Sequence, residues 1–156
     1  MSAGEPAGAP VGEGRVRDGV RVVDLPGRMG EVVVTPGVVA PASAATVTHL
    51  PVENTSEWPV VITSHFHFFE VNRRLRFDRA RAFGCHLDVL AGGSVRFEPG
   101  ETKEVALVPY AGDRAVYGFN GLTDAVLGTG DELERQRGKA VARLRAAGYL
   151  DTGAGA

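Results

Sequence analysis

His65 and His67 stand one residue apart in the run Ser64-His65-Phe66-His67-Phe68-Phe69-Glu70. Two imidazoles at that spacing are the residues best suited to hold a metal ion or to move protons. On a strand, alternate residues share a face, so both rings would be aimed at one point. A strand over Val60–Phe68 puts Val60, Ile62, Ser64, Phe66 and Phe68 on the more apolar face, which belongs to the core. Val61, Thr63, His65, His67 and Phe69 then lie opposite, presented to a metal, a partner or water. Glu70 follows His67 by three residues and has the other parity, so it is expected to point away unless a bulge intervenes. Metal-holding jelly rolls of the cupin type add a further histidine from a second motif, yet none follows His86 in this chain. Nothing in the sequence recruits His49 or His86 either. Metal held by His65 and His67 therefore remains the alternative, beside histidines that are hydrogen-bonded in a packed surface.

Other chemistry is thinner. Ser64 beside His65 is not a nucleophile–base pair, because neighbours on a strand face opposite ways and no glycine elbow surrounds the serine. The same objection meets Cys85 beside His86. Arg73, Arg74, Arg76, Arg79 and Arg81 crowd one segment, either as a solvated face or as partners for an acidic surface. No phosphate-cradling glycine loop or dinucleotide fingerprint occurs. The sequence thus presents a histidine pair without a self-sufficient catalytic set, which suits a subunit better than a solitary enzyme.

The elements that would position these residues are short strands broken by turns. Val47–Val52 reads as a strand in which Pro51 marks an edge or bulge. Asn54-Thr55-Ser56-Glu57 is a turn before the Val60 strand. Ser94–Phe97 ends at Glu98-Pro99-Gly100, Val105–Val108 follows, and Gly112-Asp113 turns into Ala115–Phe119. Val32–Val34 precedes the turn signal Thr35-Pro36-Gly37. This spacing predicts an all-β fold, an antiparallel jelly roll or sandwich. Phe77, Ala80 and Phe83 share one face of a short internal helix that stops at Gly84. A C-terminal amphipathic helix is expected at about 130–147, with Thr129 as N-cap, Glu132 completing a capping box, and Gly148 just past the end. Leu133, Val141 and Leu144 form its apolar stripe.

Length and charge narrow the class further. The chain has 156 residues, with 17 lysines and arginines against 19 acids, a net charge of −2. That balance gives no support to a nucleic-acid binder. No apolar run approaches the ~20 residues of a membrane span, and no secretory leader is visible. The single cysteine, Cys85, fits a reducing, cytoplasmic setting. Met1–Gly14 is nearly all Gly, Ala, Pro, Ser and Glu and reads as disordered. Gly148–Ala156 is a similar end-piece. The organisation expected is a mostly disordered extension over 1–31, a jelly-roll domain over 32–122, and a C-terminal extension over 123–156.

The run Ser64-His65-Phe66-His67-Phe68-Phe69-Glu70-Val71-Asn72 closely resembles the hallmark of the urease β subunit. So do Leu75-x-Phe77-Asp78-Arg79, Gly84-x-x-Leu87-Asp88 and Ala91-Gly92. Val95-Arg96-Phe97-Glu98-Pro99-Gly100 and Gly112-x-Arg114-x-Val116-x-Gly118-Phe119 continue in the family's order, and the likeness covers about residues 35–122. The resemblance implies a non-catalytic structural subunit of a nickel enzyme that converts urea and water to ammonia and carbamate. It implies that the nickel lies on the large α subunit, so this chain supplies no catalytic residue, no metal ligand and no cofactor of its own. The partners implied are the α and γ subunits, in a trimer of αβγ units or a larger assembly. His65, His67, Phe69, Asn72 and Arg79 are then expected near subunit contacts. So is the helix stripe of Leu133, Val141 and Leu144, unless it folds back on its own domain. Departures from the family pattern, such as Val38 after Pro36-Gly37 and Thr63 before the Ser-His pair, keep open a diverged binding module without urease activity.

Overall fold

The computed structural model describes residues 15–17, 20–22 and 46–153. The chain divides into two compact units, residues 1–40 and residues 41–156, each described by itself. In the first, β1 (Arg15–Arg17) pairs antiparallel with β2 (Val20–Val22). The expected tail Met1–Gly14 and the Val32–Gly37 strand and turn lie outside the described residues.

The second unit is antiparallel β with one helix at its C-terminal end, as the sequence pattern predicts. Its strands are β3 (Thr48–Asn54), β4 (Val60–Thr63), β5 (Leu75–Arg76), β6 (Cys85–Leu87), β7 (Ser94–Phe97), β8 (Thr102–Pro109), β9 (Ala115–Val116) and β10 (Ala125–Val126), followed by helix α1 (Gly130–Ala146). One sheet has the order β5-β3-β8-β6; β4 pairs with β7, and β9 with β10. Alternation sets the packing: along β4, Val60 and Ile62 are buried while Val61 and Thr63 face out. Pro51 sits opposite Glu104 of β8, and β5 pairs only with Glu53 and Asn54, so among the described residues no strand pairs with the other side of β3 where the missing N–H falls.

Two apolar clusters fill the unit. Leu50, Val52, Val60, Ile62, Phe68, Leu75, Phe77, Leu87, Phe97 and Leu107 pack between the strands. The second cluster joins Phe69, Phe83, Val116, Leu122 and Leu127 to Ala140 and Leu144 of α1. The helix thus folds back on its own domain: Leu144 is fully buried, and Leu133 and Val141 lean on the same cluster. Gly148 closes α1 with φ +72°, a left-handed conformation that favours glycine, and Tyr149 N–H reaches back to the Leu144 carbonyl.

Three local expectations are corrected. The strand from Val60 stops at Thr63 and gives way to a 3₁₀ turn, Phe68–Glu70. The short helix around Phe77–Phe83 is only a 3₁₀ turn over Ala80–Ala82. The capping box does not form, because Thr129 occupies the N-cap without a side-chain bond and Glu132 pairs with Arg135. Gln136 instead ties down the chain that enters the helix, accepting from Gly128 N–H at 3.0 Å and donating to the Val126 carbonyl at 3.1 Å.

Candidate functional site

The change from strand to 3₁₀ turn decides what the histidines do. In a 3₁₀ turn, residues three apart are stacked on one side. His67 and Glu70 are so placed, and both are buried. His67 Nδ1 lies 2.8 Å from Glu70 Oε1, while Nε2 accepts a hydrogen bond from Gly84 N–H at 2.9 Å. Since Nε2 accepts, the bonding pattern assigns the proton to Nδ1, which donates to the carboxylate. The Thr123 hydroxyl stands 3.5 Å from the same nitrogen. Glu70 Oε2 accepts from the Asn120 and Leu122 N–H groups at 3.1 and 2.9 Å, and the Asn120 side chain donates to the Glu70 carbonyl at 2.6 Å. Phe69, Phe83, Tyr110 and Phe119 ring the imidazole. Gly84 can present its N–H because it holds φ +75°, and a Cβ there would lie 3.1 Å from Leu127 Cδ1.

This clamp joins the 67–70 turn, the chain reversal at Gly84 and the 120–123 loop. Burial by itself would raise the Glu70 pKa. The hydrogen bonds from His67, Leu122 and Thr123 outweigh it and hold the carboxyl below its ordinary 4.5. A folded-state pKa below the unfolded one stabilises the fold fully at neutral pH, and that contribution is lost as pH falls through about 4.5 and then through the lower folded value. Thermal melts from pH 7 to pH 3 are therefore expected to show a steep loss of stability below about pH 4.5 that is shallower in Glu70→Gln.

A second buried polar centre lies beside the first. Arg79 has no exposed surface and spends all five of its N–H groups on carbonyls. Nη1 donates to Phe69 and Val71 at 2.8 and 2.9 Å, Nη2 to Asn72 and Leu75 at 3.0 and 2.7 Å, and Nε to Leu150 at 2.9 Å. The rings of Phe77 and Tyr149 lie 4.4 and 5.0 Å from its Cζ. Burial draws its pKa down to about 10, opposed by Tyr149 and Asp151, so the cation persists at neutral pH. Asp151 accepts from the Arg79 N–H at 3.1 Å and from Arg145 at 3.3 Å. Leu150 N–H meets the Arg73 carbonyl and Thr152 N–H the Phe77 carbonyl, at 3.1 and 3.0 Å. The end-piece Gly148–Ala156, expected to be disordered like the N-terminal tail, is over Leu150–Thr152 a strap laid along residues 73–79.

The structure separates the two histidines that alternation had placed together. His65 is exposed, and its carbonyl accepts from the Tyr110 hydroxyl at 2.6 Å; His67 is sealed inside. Both nitrogens of His67 and both oxygens of Glu70 are already engaged within the chain, so the donor set does not fit a metal ion. Among the described residues, no three His, Cys, Asp or Glu side chains gather as a metal site. Of the residues expected near subunit contacts, His65 and Asn72 are exposed, and Leu133 and Val141 are half-buried. His67, Phe69, Arg79 and Leu144 have no surface to offer while this fold is kept, because they hold its interior. Sequence reasoning missed Glu70, Gly84 and the 120–123 loop as partners of His67. The signal was available in the i, i+3 spacing of His67 and Glu70 across two consecutive apolar residues, which breaks strand alternation.

The antiparallel β domain turns its histidine and acid inward as a clamp. The sequence model of the family described as "Urease beta subunit" matches residues 29–126. The chain is 54% identical over 99 residues to "Urease subunit beta 2" of Brucella abortus, covering 64% of this chain and 62% of that protein. It is 48% identical over 141 residues to "Urease subunit gamma/beta" of Streptomyces coelicolor, covering 90% of this chain and 56% of that one. Against "Urease subunit beta" of Yersinia pseudotuberculosis it is 46% identical over 101 residues, or 65% and 70% of the two chains. The chain belongs to the urease β-subunit family, and it spans about three fifths of the length of the Brucella relative. Among the described residues, no helix is long and apolar enough to cross a membrane.

Proposed function

We propose that this chain is a non-catalytic structural subunit of a nickel-dependent urease, the cytoplasmic enzyme that turns urea and water into ammonia and carbamate. Its role is to scaffold a large α subunit that carries the nickel, together with a γ subunit, in a trimer of αβγ units or a larger assembly. The observation that carries this reading is the saturation of His67 and Glu70. The most suggestive side chains of the family's hallmark run spend every hydrogen-bonding position inside the chain. Neither is left to bind a substrate or ligate a metal. The fused name of the Streptomyces relative supports a γ partner.

The test is to purify the chain alone and co-expressed with a large and a small urease subunit. Alone, it is expected to show no stoichiometric metal and no urea hydrolysis. Together, the three are expected to form a stoichiometric complex that hydrolyses urea. Tight metal or hydrolysis in the isolated chain would overturn the reading, and failure to associate would mark a diverged module.

A further inference from the structure

A groove of about 710 Å³ runs between the turn after β3 and the segment before β5, with Glu57, Trp58, Pro59, Asn72, Arg73 and Arg74 among its walls. Trp58 is 75% exposed, a large apolar surface left in water. Its backbone is nevertheless fixed. The fully buried Asn54 donates to the Trp58 and Phe97 carbonyls at 2.8 and 3.1 Å and accepts from Ser56 N–H at 3.0 Å. The facing wall is equally tied. The Arg74 carbonyl takes both the N–H and the hydroxyl of Thr55, at 3.1 and 2.7 Å, Asn72 Oδ1 accepts from Arg74 N–H at 2.9 Å, and the C-terminal strap holds the Arg73 carbonyl.

Among the described residues, the Trp58, Arg73 and Arg74 side chains on these walls make no hydrogen bond or ion pair. Arg76, Arg96, Arg135, Arg137 and Arg145 each pair with an acid. Arg73 and Arg74 are exposed, and among the described residues their guanidinium groups meet no carboxylate. Glu57 is the one acid in the groove and leaves it with a net positive charge. Exposed tryptophan and arginine, held on a fixed backbone, are the residue types that dominate binding energy when a partner buries them. Two guanidinium groups that pair with no carboxylate among the described residues, beside an indole and against a single acid, call for carboxylates beside a flat apolar or proline side chain.

We infer that the Trp58–Arg73–Arg74 groove is a docking site for an acidic segment of another polypeptide. Resting on the functional reading above, the occupant is a segment of the large urease subunit. The association is then electrostatically assisted, and salt weakens it.

The test measures the affinity of the full chain for the large subunit, together with the small one, at about 50 and about 300 mM salt, a range over which screening changes strongly. Trp58→Ala and the double change Arg73→Glu/Arg74→Glu are compared with Arg135→Glu/Arg137→Glu on the helix as a control for total charge. Each groove variant is expected to bind at least about tenfold more weakly, with its melting temperature kept because the altered side chains are exposed. The arginine reversal is also expected to lose most of the salt dependence, and the helix control to change neither. Wild-type affinity in both groove variants would overturn the inference, as would a loss confined to Trp58→Ala, which would remove the acidic character of the occupant. Failure of the wild-type chain to associate at all would instead overturn the functional reading, and this inference with it.

Discussion

Replacing Arg79 with alanine is expected to lower the melting temperature by roughly 10–20 °C, corresponding to about 4 kcal/mol for a unit of this size. The guanidinium spans four carbonyls of the 69–75 segment and one of the C-terminal strap, and it has no exposed surface. Removing it orphans those acceptors together and leaves a cavity between the Phe77 and Tyr149 rings. Lysine is no substitute, since its ammonium carries three donors in place of five and cannot reach carbonyls spread around a plane. Arg79→Lys should therefore fall between wild type and alanine. Amide exchange distinguishes this account from a general loss of packing: Leu150 and Thr152, which bond to residues 73 and 77, should exchange first. Unchanged protection of the strap in Arg79→Ala would show that the guanidinium is not its anchor.

Glu70→Gln is the second large effect, about 3 kcal/mol or roughly 10 °C. The change looks conservative, but the surroundings offer the carboxylate only donors. Oε1 faces His67 Nδ1–H, and Oε2 faces two backbone N–H groups. A glutamine must turn its NH₂ towards one of these. Moving the His67 proton to Nε2 would relieve Nδ1 but set that proton against Gly84 N–H. Every arrangement leaves two donors facing each other. Chemical denaturation should show the loss, and the amides of Gly84, Asn120 and Leu122 should exchange faster than those of β3 and β8. Stability equal to wild type at pH 7 would mean that the carboxyl is not ionised there.

Much of the fold was legible because period-two patterning and turn residues act locally. Ser94–Phe97 is β7 to the residue, and the burial of Val60 and Ile62 follows alternation. The helix at Gly130–Ala146 and the role of Gly148 came from end signals within the same stretch. The site was less legible. Strand alternation from Val60 carries on until a turn stops it, and nothing before Ser64 announces that turn. The partners of His67 lie 17 residues away at Gly84 and 56 away at Thr123, separations that no periodicity encodes. Arg79 sat among five arginines of similar appearance. Only the surrounding carbonyls, one of them from Leu150, distinguish it from its solvated neighbours. The end-piece after Gly148 was read by composition, which weighs glycine and alanine heavily. Its few anchoring groups, Tyr149, Leu150 and Asp151, hold it in place.

Phe68 and Phe69 are neighbours in sequence, yet Phe68 enters the cluster between the strands and Phe69 the one capped by α1. A single peptide bond is thus the common wall of both cores. Any insertion or deletion of one residue at this place would send each ring toward the other's compartment and rotate His67 away from Glu70 in the same step. Substitutions on the outer faces of the strands can drift freely by comparison, whereas the length of the chain between Ser64 and Val71 is fixed by two interiors at once.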